Sequence, residues 1–315
     1  MSASPNASST ATVNALAPLP RSVIIPAFLL ISVILGCNHV CARIAFEHGA
    51  NVTAAVAVRS SGAVLFTLIL LYVKRVPIVV PAGRRMHALI VGLLFLSQSY
   101  CVYSAISLIP VALALLVFNA FPILMLLVTW ATGIERPGWR TFVAMPAALF
   151  GLALALDIGG VTAGRGFDFA GRWQEIGLGV LWALGAAVSM ASGLLLTNRW
   201  LGGLDGRVRT LTTMSVIAVV MVTKGVLTES FVFPVDQMGW LGLALLTLLY
   251  SAGITGVFML MPRSGAVSNT AALNFEPVAV LAIAWVVLGQ TVAPLQIVGA
   301  FIVIGAIIAV SLLKK

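Results

Sequence analysis

The stretch that decides the fold is Ala272–Trp285, ALNFEPVAVLAIAW, in which Glu276 stands directly before Pro277 inside an apolar run. Charged side chains are rarely buried in apolar surroundings without a partner, and proline removes a backbone donor from a helix. The rest of the chain shows what surrounds this stretch, because 61% of its 315 residues are hydrophobic and only 9% are charged. Soluble proteins carry about a quarter charged residues. We therefore predict an integral membrane protein.

Apolar stretches follow one another along the chain, each close to the ~20 residues that a helix needs to cross the hydrocarbon of a bilayer. Proline, glycine and charged residues separate them. The predicted spans are residues 22–46, 53–73, 86–108, 110–132, 139–157, 176–197, 210–229, 238–260, 266–288 and 294–312. The expected fold is an all-α integral membrane protein with ten transmembrane helices.

The Gly-rich segment 158–175 divides the chain into residues 22–157 and 176–313, with five predicted spans in each half. We expect residues 1–21, rich in Ser, Ala, Asn and Pro, to form a disordered cytoplasmic tail, and residues 158–175 to form a periplasmic linker. Of 18 Lys and Arg residues, 13 fall on one side when the amino terminus is inside, which predicts two cytoplasmic termini. The abundant Arg, Ala and Gly are typical of a bacterial source, and we expect the inner membrane.

The two halves resemble each other in sequence. At an offset of 155 residues, Phe118–Glu135 aligns with Leu273–Gln290. The identical pairs include Asn119 with Asn274, Pro122 with Pro277, and Trp130 with Trp285. Because five spans are an odd number, the second half must enter the membrane upside down. Two inverted five-helix repeats are typical of secondary transporters, whose sites lie at the repeat interface near the midplane.

Short motifs occur in order along these spans. They are LGCNHVCARIAFE (35–47), VAVRSSGAVLF with Arg59 (56–66), Glu276-Pro277-Val278 followed by Leu288-Gly289, and TVAPLQIVGAFIVIGAIIAV (291–310). Together they resemble the EamA-type transporters of the drug/metabolite transporter (DMT) superfamily. This resemblance implies a ten-helix carrier that alternates access and moves a small metabolite, commonly outward. His39 stands where that family usually has Phe, and Gln290 where it usually has Glu, so the resemblance does not identify the substrate.

Pro122 and Pro277 are predicted to break their helices, because neither residue can donate a backbone hydrogen bond. Paired interruptions at corresponding positions indicate a transporter's binding site. Asn119 and Asn274 each precede a proline by three residues. Their amides either supply the missing donors or contact substrate, and both remain candidates for substrate binding.

Glu276 is a candidate for both substrate binding and proton coupling. A carboxylate at membrane depth must be paired, hydrated or protonated. It would bind a substrate ammonium in a wet site, or carry a proton. The alternative is a fixed ion pair with Arg43 or Arg59 that holds the bundle together.

The remaining candidates for substrate binding are Asn38 and His39 on the first span and Tyr100 and Tyr103 on the third. Polar stripes on membrane helices face protein or water, so they either line a cavity or join helices. The span-three stripe contains Ser97, Tyr100, Tyr103, Ser104 and Ser107, and the span-eight stripe contains Thr247, Tyr250, Ser251 and Thr255. His39, Arg43 and Glu47 form a ladder at four-residue spacing, which lines a cavity mouth or simply pairs Arg43 with Glu47.

The sequence lacks the motifs that indicate several other classes of function. Cys37 and Cys41 share a helix face that points away from His39, so no metal site is expected. The chain has no Gly-rich phosphate loop, so we expect neither a cofactor nor an ATPase subunit. The formal net charge of +9 is spread over short clusters between spans, which indicates topology and not nucleic-acid binding.

The sequence thus predicts a secondary-active transporter rather than an enzyme. Its expected partners are the lipid bilayer and a small-molecule substrate, and its expected activity is export of amphipathic metabolites such as amino acids, with proton coupling as a hypothesis. The alternative is a membrane-embedded enzyme, such as a lipid-modifying transferase, which would consume its substrate.

Overall fold

The computed structural model describes residues 20–121, 123, 124, 127, 130, 133, 139–157, 169–202, 204–260, 275–290 and 293–312. All regular secondary structure in these residues is helical. The α-helices are α1 (Arg21–Glu47), α2 (Val52–Val73), α3 (Arg85–Leu108), α4 (Val111–Phe118), α5 (Trp139–Ala155), α6 (Phe169–Leu201), α7 (Gly206–Leu227), α8 (Gln237–Leu260), α9 (Glu276–Leu288) and α10 (Pro294–Leu312). A short 3-10 turn, Ala82–Arg84, precedes α3.

Six of the described helices are long and apolar enough to cross a membrane, namely α1, α2, α3, α6, α7 and α8. Their outer surfaces are also apolar. On α2, for example, Leu65, Phe66 and Ile69 are exposed. A protein surrounded by water rarely exposes such a continuous apolar surface, whereas lipid solvates it. The chain is therefore a multi-pass membrane protein.

The helices of the first half (α1–α5) pack against those of the second half (α6–α10) in a symmetric pattern. Six of the pairs between the halves form three corresponding sets: α3–α6 corresponds to α1–α8, α1–α9 to α4–α6, and α2–α8 to α3–α7. Three further pairs each correspond to themselves, namely α2–α7, α4–α9 and α5–α10. Exchanging each helix for the one five places away returns the same set of pairs. The two halves are thus packed as equivalent units.

Two glycines allow helix backbones of different halves to approach closely. A Cβ added at Gly299 on α10 would collide with the backbone nitrogen of Ala155 and lie 2.5 Å from the carbonyl oxygen of Gly151, both on α5. A Cβ at Gly242 on α8 would lie 3.0 Å from the carbonyl oxygen of Cys41 on α1. Small residues are the usual means of bringing membrane helices together.

Hydrogen bonds also join the halves through two loops. The Asn51 side chain accepts from the backbone N–H of Ala54 at 2.9 Å, which caps α2, and donates to the carbonyl of Ser230 at 2.6 Å. The backbone N–H of Val235 donates to the carbonyl of His48 at 3.1 Å. The connection between α1 and α2 is therefore held by hydrogen bonds to the loop between α7 and α8.

The described helix boundaries differ from the predicted spans at several places, among them the end of α4, which stops at Phe118 within the predicted span 110–132. Helix α6 begins at Phe169, so residues 169–175 of the expected linker are helical. Helix α9 begins at Glu276 with Pro277 in its first turn. The first N–H groups of a helix have no intrahelical acceptor, so proline is well tolerated there. The residues before Phe275, including Asn274, lie outside the described part of the chain, and so does Pro122.

Candidate functional site

The Glu276 carboxylate contacts a histidine of the first helix. Oε1 of Glu276, in the first turn of α9, lies 3.3 Å from Nε2 of His39 in α1, and both side chains are less than a fifth exposed. The alternative of a fixed ion pair between Glu276 and Arg43 or Arg59 is therefore not found. The reason is tertiary, because α9 packs against α1 at His39, while Arg43 and Arg59 have other partners.

Arg43 forms hydrogen bonds to Glu47 on its own helix and to the last turn of α3. Its Nε donates to Oε1 of Glu47 at 2.7 Å, and its Nη1 donates to the carbonyls of Ile106 at 2.8 Å and Ser107 at 3.1 Å. These carbonyls belong to the last turn of α3, where cations are favoured. The simple pairing of Arg43 with Glu47 is confirmed.

Asn38 and Tyr103 contact each other next to His39. The Tyr103 hydroxyl donates to Oδ1 of Asn38 at 3.3 Å, and the Tyr103 ring centroid lies 5.8 Å from that of His39. Tyr103 is fully buried, and Asn38 is 1% exposed. The Asn38 amide also donates to the carbonyl of Leu35 at 3.4 Å.

Arg59 completes this group from α2. Its guanidinium carbon lies 5.0 Å from the ring centroid of Tyr103 and 3.9 Å from that of Tyr250. Its Nη2 donates to the Ser99 hydroxyl at 2.9 Å. We name these seven residues the polar cluster: Asn38, His39, Arg59, Ser99, Tyr103, Tyr250 and Glu276.

The polar cluster contains four of the predicted binding residues, Asn38, His39, Tyr103 and Glu276. Arg59, Ser99 and Tyr250 are not among the predicted substrate-binding residues. The sequence indicated Arg59 only as part of a family motif and as an ion-pair partner, and Tyr250 only as a member of the span-eight polar stripe. Nothing in the sequence indicated that the rings of α3 and α8 meet on its guanidinium.

Two other predicted residues have contacts elsewhere. The Tyr100 hydroxyl lies 3.4 Å from Nζ of Lys224, and its ring centroid lies 5.9 Å from that of Trp182. The Asn119 amide donates at 2.7 Å to the carbonyl of Leu115, which also accepts the backbone N–H of Asn119 at 2.8 Å. Asn119 thus caps the end of α4. Asn274, its counterpart in the second half, is outside the described residues.

Hydroxyl groups of the two polar stripes mostly bond within their helices. On α8, Thr247, Ser251 and Thr255 each donate to the carbonyl four residues earlier. On α3, the Ser97 hydroxyl lies 3.0 Å from that of Ser189 and links α3 to α6. These residues satisfy the backbone or join helices. Among the described residues, no group of His, Cys, Asp and Glu is arranged to hold a metal ion.

Known structures share the fold of this chain, and a family model matches its sequence. Among curated proteins no match is found. Of the solved structures, 15 chains match. One of them, named only "Crystal structure of protein", has a TM-score of 0.64 at 20% sequence identity and covers 94% of this chain and 100% of its own. At that identity the likeness concerns the fold alone.

The sequence model of the EamA-like transporter family matches residues 22–156 and again residues 177–312. These two matches cover most of the chain and correspond to its two symmetrically packed halves. The chain therefore belongs to the EamA-like transporter family, a family of membrane transporters in the drug/metabolite transporter superfamily.

Proposed function

We propose that this protein is a secondary-active exporter of small amphipathic metabolites such as amino acids, built from ten spans in two inverted five-helix repeats. The symmetric helix pairing and the two family matches support the repeat arrangement. Only an inverted orientation lets two five-span halves follow each other in one membrane and remain equivalent.

The observation that carries the proposal is the contact between His39 and Glu276. It joins α1 of the first half to α9 of the second, within a polar cluster to which both halves contribute. Alternating access requires such a site, because a rocking motion of one half against the other then opens the same residues to either side.

Proton coupling is part of the proposal, and Glu276 carries it. In this proposal Glu276 takes up a proton when the substrate leaves, and the His39 imidazole, 3.3 Å away, is the neighbouring group that can pass a proton to or from it. An ionised Glu276 binds a substrate ammonium, and a protonated Glu276 releases it. Solute leaving the cell would then be exchanged for protons entering it.

We further place the protein in a bacterial inner membrane with both termini cytoplasmic. Its partners in this proposal are the bilayer and a solute that leaves chemically unchanged, without a cofactor. An embedded enzyme would instead convert the solute, so the same assay separates the two classes of function.

The experiment is counterflow in proteoliposomes loaded with a mixture of unlabelled amino acids, with isotope-labelled amino acids outside at low concentration. Mass spectrometry identifies which compounds accumulate and whether they are unchanged. An imposed pH gradient should alter the net flux of wild type but not of Glu276→Gln. The matched control is Glu229→Gln, because Glu229 is an exposed carboxylate in the loop after α7. Unchanged counterflow and pH response in Glu276→Gln would remove Glu276 from the coupling mechanism, and a converted solute would contradict transport.

A further inference from the structure

Arg59 is a buried cation that has no acidic partner among the described residues. It is 3% exposed, and within the described residues no carboxylate lies at ion-pair distance from it. Four described acids are engaged elsewhere, since Glu47, Asp205, Asp236 and Glu276 contact other basic residues. The residues between α8 and α9 that lie outside the described part include no Asp or Glu.

Such an arginine keeps its charge, because the guanidinium does not deprotonate in proteins. A buried charge without a counter-ion is unfavourable. Here the faces of Tyr103 and Tyr250 offset part of that cost through cation–π contacts at 5.0 and 3.9 Å. They do not supply a negative charge.

The hydrogen-bonding capacity of Arg59 is also incomplete. Nη2 donates to the Ser99 hydroxyl, whereas the buried Nε has no hydrogen-bond partner among the described residues. A carboxylate matches the planar donor pattern of a guanidinium, and an ionised acceptor is the strongest partner for it. A planar anion would therefore suit the buried Nε of Arg59 better than a neutral acceptor.

We propose that Arg59 binds the carboxylate of the transported solute, between the rings of Tyr103 and Tyr250. This inference rests on the proposed transport function and specifies its substrate class as a monocarboxylate or a zwitterion. The tyrosine rings accommodate an apolar body beside the carboxylate.

The charge balance of the polar cluster favours one negative charge over two. Arg59 is a single cation, and Glu276 lies beyond Tyr103 and His39 in the same cluster. A dianion such as a phosphate ester would be repelled by an ionised Glu276. A zwitterionic amino acid, in contrast, brings one carboxylate for Arg59 and adds no net charge beside Glu276.

The test is thermal unfolding of the purified full-length protein in detergent, with matched pairs of carboxylates and primary amides. The probes are leucine and leucinamide, butyrate and butyramide, and benzoate and benzamide, all at equal ionic strength set with chloride. In wild type, at least one carboxylate should raise the melting temperature by about 2 °C or more beyond its amide, with a saturable dose response.

Arg59→Gln should abolish that excess, and the control Lys224→Gln should keep it, because Lys224 is an exposed cation that contacts Tyr100. If Arg59→Gln does not fold, Arg59→Lys keeps the charge without the planar fork and should reduce the excess by at least half. The inference is overturned if no carboxylate exceeds its amide in wild type, if sulfate and phosphate stabilise equally well, or if the excess survives at Arg59→Gln.

The two proposals fail in different ways. Counterflow of amines or amides without any carboxylate preference would leave transport standing and overturn the role of Arg59. Carboxylate binding that depends on Arg59, without movement of any solute across proteoliposomes, would overturn the transport function and leave the anion site.

Discussion

The imidazole of His39 and the carboxylate of Glu276 are 3.3 Å apart, and this contact joins α1 to α9 across the two halves of the molecule. Both side chains are largely buried. In such surroundings each side chain satisfies the hydrogen-bonding capacity of the other. The removal of either one leaves the other buried and unpaired, which is costly.

A double-mutant cycle tests that relationship. We expect Glu276→Gln and His39→Gln each to lower stability, and the double variant to lose less than the sum of the two losses by about 1–3 kcal/mol. The measurement is thermal or denaturant unfolding in one detergent. Strictly additive losses would show that the two side chains do not interact.

Asn51 has two separable roles, as the cap of α2 and as a donor to Ser230 in the other half. Asn51→Ala removes both and should cost about 1–2 kcal/mol of stability. Asn51→Ser keeps a capping oxygen but is too short to replace the donor, so its loss should be smaller. Equal losses in both variants, measured by thermal unfolding, would show that the cap contributes nothing.

The close approach of α10 and α5 makes Gly299 sensitive to the addition of a single methyl group. Gly299→Ala places that methyl against the backbone of Gly151 and Ala155 and should cost about 1–3 kcal/mol. Gly305 on the same helix provides the control, because nothing lies within 4 Å of its added Cβ.

Gly305→Ala should be neutral or stabilising by up to about 1 kcal/mol, since alanine favours helix more than glycine does. The difference between the two melting temperatures is the readout. A Gly299→Ala protein as stable as Gly305→Ala would contradict the tight packing of α5 and α10.

The loop contact between Asp236 and His48 predicts a pH dependence. The pKa of the Asp236 carboxyl lies below its usual value because it accepts the backbone N–H of Gly239 at 2.8 Å and lies 2.6 Å from Nδ1 of His48. A lowered folded-state pKa stabilises the fold above the unfolded-state pKa of about 4, and that stabilisation disappears as the pH falls through the folded value.

Accordingly, Asp236→Asn should lower the melting temperature at pH 6, and its difference from wild type should shrink towards pH 3. Taking the difference removes other effects of acid on the protein. A difference that stays constant from pH 6 to pH 3 would show that the Asp236 charge makes no contribution.

Much of the helical framework was predictable from the sequence because lipid imposes a simple pattern. A membrane helix must be long and apolar, so the runs containing α1, α2, α3, α6, α7 and α8 were recognisable from hydropathy alone. The short motifs around Asn38, Arg59 and Glu276 likewise identified the family that the match to its sequence model confirms.

The site was less predictable, because the sequence shows which residues are polar but not which of them meet. Glu276 was expected to be paired, hydrated or protonated, and in the structure it contacts His39 and not an arginine. Pro277 lies in the first turn of α9, and the residues before Phe275, where the break was predicted, lie outside the described part of the chain. Spacing along one span cannot identify the helix that packs against it.

The sequence by itself determined that this chain lies in a membrane, belongs to a transporter family and has polar residues within its apolar spans, because composition and motif order are properties of the chain alone. Only the tertiary structure decided that Arg59 lies against Tyr103 and Tyr250 while Glu276 contacts His39. The physical reason is that these contacts arise between α1, α2, α3, α8 and α9, whose packing depends on small residues and shape rather than on local hydropathy.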